Sequence, residues 1–247
     1  MESEGKDGVD TDRILAGLRS ESGTARLAAA RELEERLKEE LERGRSEWES
    51  LVNGLLPALT AAIGDAHKGV QVHAANCLEF FSYQSYAVIP ALRAAMAGPD
   101  PWRAWGAALV TARMGLWFPE MAPALQGAMG AGDRDVRWAA AGQCLQLGRS
   151  HPEAVDTVKA TLASDNPLAR KMAAYCLGAM GQYAAVEPAL AAGLSDPDRD
   201  VRRAVILGID KLPEVSEPVQ AQIAALRQDP DIYVRRTAAA VAAKYDK

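Results

Sequence analysis

The most regular feature of the sequence is an apolar stripe that recurs about every 33 residues. In each copy three apolar positions lie four residues apart, which puts them on one face of a helix. The stripes begin at Ala25, Val70, Trp102, Val136, Ala169, Val201 and Val234, at spacings of 45, 32, 34, 33, 32 and 33 residues. Such a period predicts stacked helical units, each too small to bury its own apolar face.

Turn residues precede each stripe and glycines follow several of them. Asp and Pro stand just upstream, as in Asp196-Pro197-Asp198 and Asp229-Pro230-Asp231, and predict a turn and an N-cap. Gly115, Gly148 and Gly181 stand where a left-handed glycine would end the helix. The middle position of each stripe is small in most copies, which lets a neighbouring helix approach closely.

A second, shorter apolar helix is predicted before each turn. Four of these segments carry a proline at nearly the same register, thirteen residues before the stripe in three of them and twelve in the fourth. This predicts a helix start or a kink because proline has no amide hydrogen to donate. The prolines are Pro57, Pro90, Pro123 and Pro188. Each repeat is therefore expected to be a pair of helices, A then B.

This arrangement resembles the HEAT-repeat family, specifically the short bacterial form called phycobiliprotein-lyase-like (PBS lyase HEAT-like). The resemblance rests on the proline of helix A, the Asp-containing turn, and a Val-Arg-x-x-Ala start of helix B, as in Val201-Arg202-Arg203-Ala204. It implies an all-α solenoid, a right-handed superhelix of about seven antiparallel helix pairs with the B helices on the concave side. It does not imply one function, because fold and function separate widely in such scaffolds.

The N-terminal part departs from the regular repeat. We expect a disordered leader over residues 1–10 and a single solenoid over 11–247, with 11–52 as an atypical N-terminal cap repeat. The cap carries Leu33, Leu37 and Leu41 among mixed charges, which predicts a long solvated helix with one narrow apolar edge. At the other end, Val234, Ala238, Val241 and Tyr245 form a stripe with no later repeat to cover it, which leaves open a monomer or a weak homodimer.

Charge and cysteine content limit the kinds of partner and of cellular compartment that we expect. The chain has 28 Lys+Arg and 33 Asp+Glu, and the acidic excess lies in its first fifth. The remainder is neutral, which makes a nucleic-acid partner improbable. No apolar run is long enough for a membrane span. Three well-separated cysteines argue against a disulfide framework, so we expect a cytoplasmic protein.

Two groups of residues are candidates for binding a partner protein. The first is a zone from Phe80 to Phe118 that holds eight of the fourteen aromatic residues, which are favoured at hot spots but also in cores. The second is the arginine that follows the start of the stripe in six of seven copies, which either lines a groove for an acidic ligand or pairs with turn aspartates. The candidate site residues are Phe80, Tyr83, Tyr86, Trp102, Trp105, Arg103, Trp117, Trp138, Arg137 and Arg170.

Signals for catalysis are weak. His73 and Cys77 lie four residues apart but are too few for a zinc site, and no phosphate-binding or nucleophile motif occurs. No His-Glu dipeptide is present, unlike the iron-binding deoxyhypusine hydroxylases of the HEAT family. We therefore predict a non-catalytic scaffold without cofactor or metal. The alternatives are an enzyme of bilin-lyase-like or DNA-glycosylase-like type, the latter suggested by Asp100 and Trp102 with their neighbours, and a self-assembling structural protein.

Overall fold

The computed structural model describes residues 9–182 and 184–245 and shows fourteen α-helices and no strand within them. The all-α prediction is confirmed for that part of the chain. Most of the predicted leader lies outside the described residues. Asp10, its last residue, is the N-cap of the first helix and accepts a hydrogen bond from the Arg13 amide.

The helices follow one another as seven A/B pairs along the sequence. They are α1 Thr11–Leu18, α2 Gly23–Glu42, α3 Glu49–Ala62, α4 Lys68–Ser82, α5 Val88–Met96, α6 Pro101–Arg113, α7 Met121–Met129, α8 Arg134–Leu147, α9 Pro152–Thr161, α10 Pro167–Met180, α11 Glu187–Ala192, α12 Arg199–Ile209, α13 Glu217–Ala225 and α14 Ile232–Ala242. Short 3₁₀ turns, Gly193–Ser195 and Leu226–Gln228, extend α11 and α13.

Contacts divide the chain into two compact units, one ending at Ala124 and the other beginning at Leu125. The first unit contains the pairs α1/α2, α3/α4 and α5/α6. The second contains α8 and the pairs α9/α10, α11/α12 and α13/α14. The boundary falls within α7. The single unit expected over residues 11–247 stays a prediction.

Aspartate and asparagine side chains start the B helices, as the turn sequences predict. Asp198 accepts hydrogen bonds from the amides of Asp200 and Val201, and Asp231 caps α14 in the same way. Their carboxylates satisfy amides that have no partner inside the helix. The same role falls to Asp100, Asp133 and Asn166 at α6, α8 and α10.

The middle and last positions of the B-helix stripes are buried in the core of each unit, as predicted, but the first position is not buried in α2, α6 and α8, where it is Ala25, Trp102 and Val136. In α12, Val201, Val205 and Ile209 are all buried. Small residues allow close approach where the sequence suggests it: a Cβ at Gly106 of α6 would lie 2.5 Å from the carbonyl oxygen of Ile63, the C-cap of α3. The B helix of one pair can therefore lie almost in backbone contact with the A helix of the preceding pair.

The glycine prediction holds at one of its three positions. Gly115 has φ +72° and ends α6, but Gly148 and Gly181 have φ values of −61° and −57° and are right-handed. Neighbouring side chains explain these two glycines instead. The Leu212 side chain occupies the space of a Cβ at Gly181, and a Cβ at Gly148 would lie 3.1 Å from the Met180 methyl carbon.

The sequence predicts either a helix start or a kink at the four prolines, and their places within the helices distinguish the two. Pro90, Pro123 and Pro188 stand in the first turn of α5, α7 and α11, where a missing amide costs no intrahelical hydrogen bond. Pro57 differs, because it lies in the interior of α3. The shared register therefore marks a helix start in three repeats and an interior proline in one.

The two ends of the chain differ from expectation. In α2, Leu33 and Leu37 are buried but Leu41 is half exposed, so the apolar edge stops one turn early. In α14, Val234 and Val241 are buried, because α14 packs against α12 and α13 of its own unit. The stripe on α14 is thus covered within the second unit and does not provide a free face for a second copy.

Candidate functional site

The aromatic candidates of the first unit do not form one patch. Tyr83 and Tyr86 are exposed beyond the C-terminal end of α4, whereas Trp102 is exposed at the first turn of α6. The two B helices run in the same direction, since Arg113 at the end of α6 pairs with Glu79 near the end of α4 at 2.5 Å. Eleven residues of helix, about 16 Å, separate Trp102 from Arg113. The tyrosines and Trp102 therefore lie at opposite ends of the B helices.

Other predicted aromatic residues contribute to packing. Trp105 is only 7% exposed and belongs to the core, so the prediction that it binds a partner is not supported. Phe80 is half-buried and packs edge-on against Trp48 with ring centroids 5.1 Å apart. Trp117 is half-buried as well. Large aromatic rings here fill space between helices whose other core residues are small.

Asp100 and Arg103 are held by the start of α6. The Oδ1 atom of Asp100 accepts hydrogen bonds from the amides of Trp102 and Arg103, and its Oδ2 atom lies 3.8 Å from the Arg103 Nε. The Nε atom of Arg103 is buried without a hydrogen-bond partner among the described residues. Asp100 caps the helix and Trp105 is buried, whereas Trp102 and Arg103 remain partly exposed. The DNA-glycosylase-like alternative stays a prediction.

In three of the six repeats that carry it, the recurring arginine of the B helix pairs with an aspartate of the following turn, and these pairs form a ladder. The guanidinium Nη1 donates to two carbonyl oxygens of its own turn, and Nε and Nη2 donate to both carboxylate oxygens of the next turn. The complete rungs are Arg26 with Asp65, Arg170 with Asp196 and Arg202 with Asp229. In the Arg202 rung both carboxylate contacts are 2.8 Å. Arg170 is thus a structural residue, as the alternative based on turn aspartates implies.

Bidentate pairing shifts the pKa values of the carboxyl groups in the ladder. Hydrogen bonds from Arg202 outweigh burial and lower the pKa of Asp229, and hydrogen bonds from Arg26 do the same for Asp65. The ionised form is favoured because the guanidinium stabilises the carboxylate. The ladder therefore ties neighbouring repeats together through charged pairs that persist at neutral pH.

Two rungs of the second unit are incomplete within the described residues, those of Arg137 and Arg235. Arg235 donates its Nη1 to the carbonyl oxygens of Asp229 and Pro230 but pairs with no carboxylate there. Arg137 keeps the first half of the arrangement, since its Nη1 donates to the carbonyl oxygens of Ala131 and Gly132 at 2.6 and 2.9 Å. The residue at the register of the missing aspartate is Ser164. Among the described residues, Nε and Nη2 of Arg137 make no hydrogen bond or ion pair that would complete the rung.

An exposed aromatic pair lies next to the incomplete rung of Arg137. Trp138 follows Arg137 and is 49% exposed, and its ring stacks on Tyr175 of α10 with centroids 6.0 Å apart and planes inclined by 23°. The register of Trp138 continues in α10, α12 and α14 as three basic residues, Lys171, Arg203 and Arg236. We call Trp138, Tyr175, Lys171, Arg203 and Arg236 the B-helix surface of the second unit.

A polar network occupies the corresponding surface of the first unit. Glu34 of α2 accepts hydrogen bonds from His73 at 2.7 Å, Asn76 at 3.0 Å and Lys38 at 2.8 Å. Burial opposes ionisation, but these three donors together hold the pKa of Glu34 at about 2. Arg113 donates to Asn76 in turn. The network joins α2, α4 and α6, and its charged groups are already paired with one another.

Sequence reasoning missed the partners that come from neighbouring repeats. Glu34 and His73 are 39 residues apart, and Trp138 and Tyr175 are 37 apart. Both pairs can be described by position relative to the start of each stripe. Glu34, nine residues after the start of its stripe, contacts His73, three residues after the start of the next. Tyr175, six residues after the start of its stripe, contacts Trp138, two residues after the start of the preceding one. The sequence shows these positions, but it does not show which polar or aromatic pairs meet there.

The cysteines and histidines show no arrangement for metal binding in the described residues. Cys77, Cys144 and Cys176 are buried and not bonded to one another, as predicted. Burial raises the pKa of all three thiols, that of Cys176 to about 12, which keeps them protonated. Across the described residues, no helix has the length and apolar character needed to span a bilayer.

The helix pairs, buried stripes and arginine ladder define a helical-repeat protein. The family model for HEAT repeats matches residues 52–145 and 121–210, which together cover more than half of the chain. The chain therefore belongs to the HEAT-repeat family, and the predicted family is confirmed. The narrower phycobiliprotein-lyase-like type stays a prediction. No curated protein matches the sequence significantly.

Solved structures agree with this fold at low sequence identity. Kap95p, in a structure that concerns its binding to RanGDP, is 17% identical with a TM-score of 0.60 over 94% of this chain and 34% of its own. Cex1p is 16% identical with a TM-score of 0.54 over 96% of this chain and 52% of its own. The Escherichia coli protein YibA is 17% identical with a TM-score of 0.50 over 78% and 73%. The chain spans about a third of Kap95p. These likenesses show the all-α solenoid fold alone.

Proposed function

We propose that the protein is a non-catalytic interaction scaffold that binds another protein through the B-helix surface of its second unit. The observation that carries this proposal is the stacked pair Trp138 and Tyr175, of which Trp138 remains half exposed. Single exposed aromatic residues are common, but two stacked rings beside a row of basic residues form the kind of patch that favours an interface. Tryptophan, tyrosine and arginine are also the residues that most often dominate interface energies.

The rigidity of the surface supports the same function. Trp138 and Tyr175 come from the middle of successive B helices whose other faces are buried in the core. A partner would therefore meet side chains that are already ordered, which lowers the entropy cost of binding. The three buried cysteines fit a reducing compartment, so we propose a cytoplasmic location for the scaffold.

The test is affinity capture from a lysate of the source cells, with the tagged full chain and quantitative identification of bound proteins. The double variant Trp138→Ala plus Tyr175→Ala is expected to lose at least one partner that the unaltered chain retains. Tyr86→Ala is the matched control, because Tyr86 is an exposed aromatic residue of the first unit and is expected to retain that partner. An unchanged set of partners with the double variant would overturn the proposal.

A further inference from the structure

We propose that the incomplete rung at Arg137 is a receptor for one carboxylate of an acidic segment in the partner protein. This inference rests on the proposed scaffold function and identifies the chemistry of the partner. In the complete rungs the carboxylate comes from the next turn of the same chain, as Asp196 does for Arg170 at 2.8 and 2.9 Å. At Arg137 the chain does not supply it.

Ser164 stands at the position that Asp196 and Asp229 occupy in the complete rungs, but its side chain has no carboxylate to pair with Arg137. In the complete rungs the aspartate also accepts a hydrogen bond from the amide two residues on, at 2.8 Å for both Asp196 and Asp229. Ser164 reproduces this turn contact, because its hydroxyl accepts from the Asn166 amide at 3.2 Å. The backbone register of the turn is thus retained, and the carboxylate alone is missing.

The guanidinium of Arg137 is already oriented for a bidentate partner. Its Nη1 atom is fixed by two carbonyl oxygens, just as the Nη1 of Arg170 is fixed by those of Ser164 and Asp165. An incoming carboxylate therefore need not order the arginine, and the planar fork matches its two oxygens. The neighbouring carboxyl group of Asp165 is not a substitute, since the hydrogen bonds of Arg137 among the described residues go to the carbonyl oxygens of Ala131 and Gly132.

Space and charge favour an acidic peptide as the occupant. At the turn that follows Arg137, Ser164 is half-buried and Ala163 and Asp165 are exposed, so a carboxylate can reach this turn from solvent. Beyond Trp138, the surface continues with Lys171, Arg203 and Arg236, and the latter two have no ion pair within the described part of the chain. Repeats stack about 10 Å apart, a spacing that an extended acidic segment of a few residues per repeat can follow.

The experiment uses the full chain, a hexaglutamate peptide and a hexaglutamine peptide. The side-chain Nε–H signals of the arginines are recorded by ¹⁵N NMR, and Arg137→Lys identifies the Arg137 signal by its loss. Hexaglutamate is expected to shift the Arg137 signal in a saturable way and to leave those of Arg170 and Arg202 unchanged. Hexaglutamine is expected to shift none of them.

Ser164→Asp provides the decisive variant. It should complete the rung from within the chain, move the Arg137 signal towards that of Arg170 without peptide, and weaken hexaglutamate binding by about tenfold or more, as expected for losing a charge-assisted contact. Ala163→Asp adds the same charge one residue away, at an exposed position, and should weaken binding much less.

Several outcomes would overturn the inference. No peptide-dependent shift at Arg137, an equal shift at the exposed Arg149 outside this surface, or equal weakening by Ser164→Asp and Ala163→Asp would each do so. Tighter saturation by a single-stranded oligodeoxynucleotide would replace the carboxylate with a phosphate ligand. If these tests fail while Trp138→Ala plus Tyr175→Ala still loses its partner, the scaffold function stands without this receptor.

Discussion

At the scale of single residues, glycine sets how closely α10 and α12 approach each other. A Cβ at Gly208 would lie 2.7 Å from the carbonyl oxygen of Ala174, a backbone atom that cannot rotate away. We expect Gly208→Ala to lower the free energy of unfolding by about 1–3 kcal/mol, as overpacking does. Gly142→Ala is the control, since a Cβ there meets nothing within 4 Å. Urea denaturation should show the control equal to or above the unaltered chain.

A loss of stability with both glycine variants would indicate a general intolerance to alanine rather than a close contact. An unaffected Gly208→Ala would mean that the two helices can separate without cost. The comparison is direct because both glycines lie inside B helices of the second unit.

The carboxylate of Asp229 contributes stability that depends on pH. Arg202 lowers the pKa of Asp229 in the folded state below its ordinary value of about 3.9. The contribution is therefore complete above that ordinary value and is lost as pH falls through the folded-state pKa. We expect Asp229→Asn to cost about 1.5–3 kcal/mol between pH 5 and 8 and progressively less below pH 4. Denaturation at a series of pH values measures this difference.

Asp156→Asn is the control for the pH series. Asp156 is largely exposed and lies 3.5 Å from Lys159 within one helix, a pair worth no more than about 0.5 kcal/mol. A pH-independent cost for Asp229→Asn would show that the carboxylate acts through packing rather than through its charge.

At the scale of elements, α2 buries a shorter edge than its leucine spacing suggests. Leu37 is buried, while Leu41, one turn later, is 50% exposed. We expect Leu37→Ala to lower the free energy of unfolding by about 2–5 kcal/mol and Leu41→Ala by no more than about 0.5 kcal/mol. Urea denaturation of the two variants checks this. Equal effects would show that the whole helix is packed, as the sequence alone predicts.

The sequence predicts features that depend on one helix at a time. The caps, the buried stripes and the starts of the B helices follow from local spacing, and the structure confirms them at positions such as Asp198 and Val205. Features that depend on a neighbouring helix are harder to predict from the sequence. Gly181 is explained by Leu212, a residue of a later repeat, and the burial of Trp105 depends on the helices packed around it.

The candidate site also depends on contacts between neighbouring helices that the sequence does not reveal. The sequence offers two alternatives for the recurring arginine, a groove for an acidic ligand or pairing with turn aspartates. Pairing is what the contacts of Arg170 show, yet Arg137 lacks that partner because Ser164 replaces the aspartate. Comparing the residues that stand five positions before each stripe shows Ser164 in place of an aspartate. The sequence does not tell the reader to compare that position, because only the structure shows that it is the partner of the preceding arginine.

At the scale of the whole molecule, the distribution of charge opposes binding to nucleic acids. The net charge is −5, and the basic residues of the described chain are largely paired in the ladder and within helices. The B-helix surface of the second unit offers three basic residues outside complete rungs, too few to release many counterions from a duplex. An acidic peptide needs only a few such contacts, because it carries fewer charges and can also cover Trp138.

We therefore expect no mobility shift of a 30-base-pair duplex at 150 mM salt with micromolar protein. Weak retention is expected only near 20 mM salt, where screening is reduced. The variant Arg203→Ala plus Arg236→Ala should abolish that retention, while Arg149→Ala, an exposed arginine outside this surface, should not. Retention at 150 mM salt that falls steeply as salt is added would mean that several phosphates are neutralised at once, and it would favour a nucleic-acid partner over a protein.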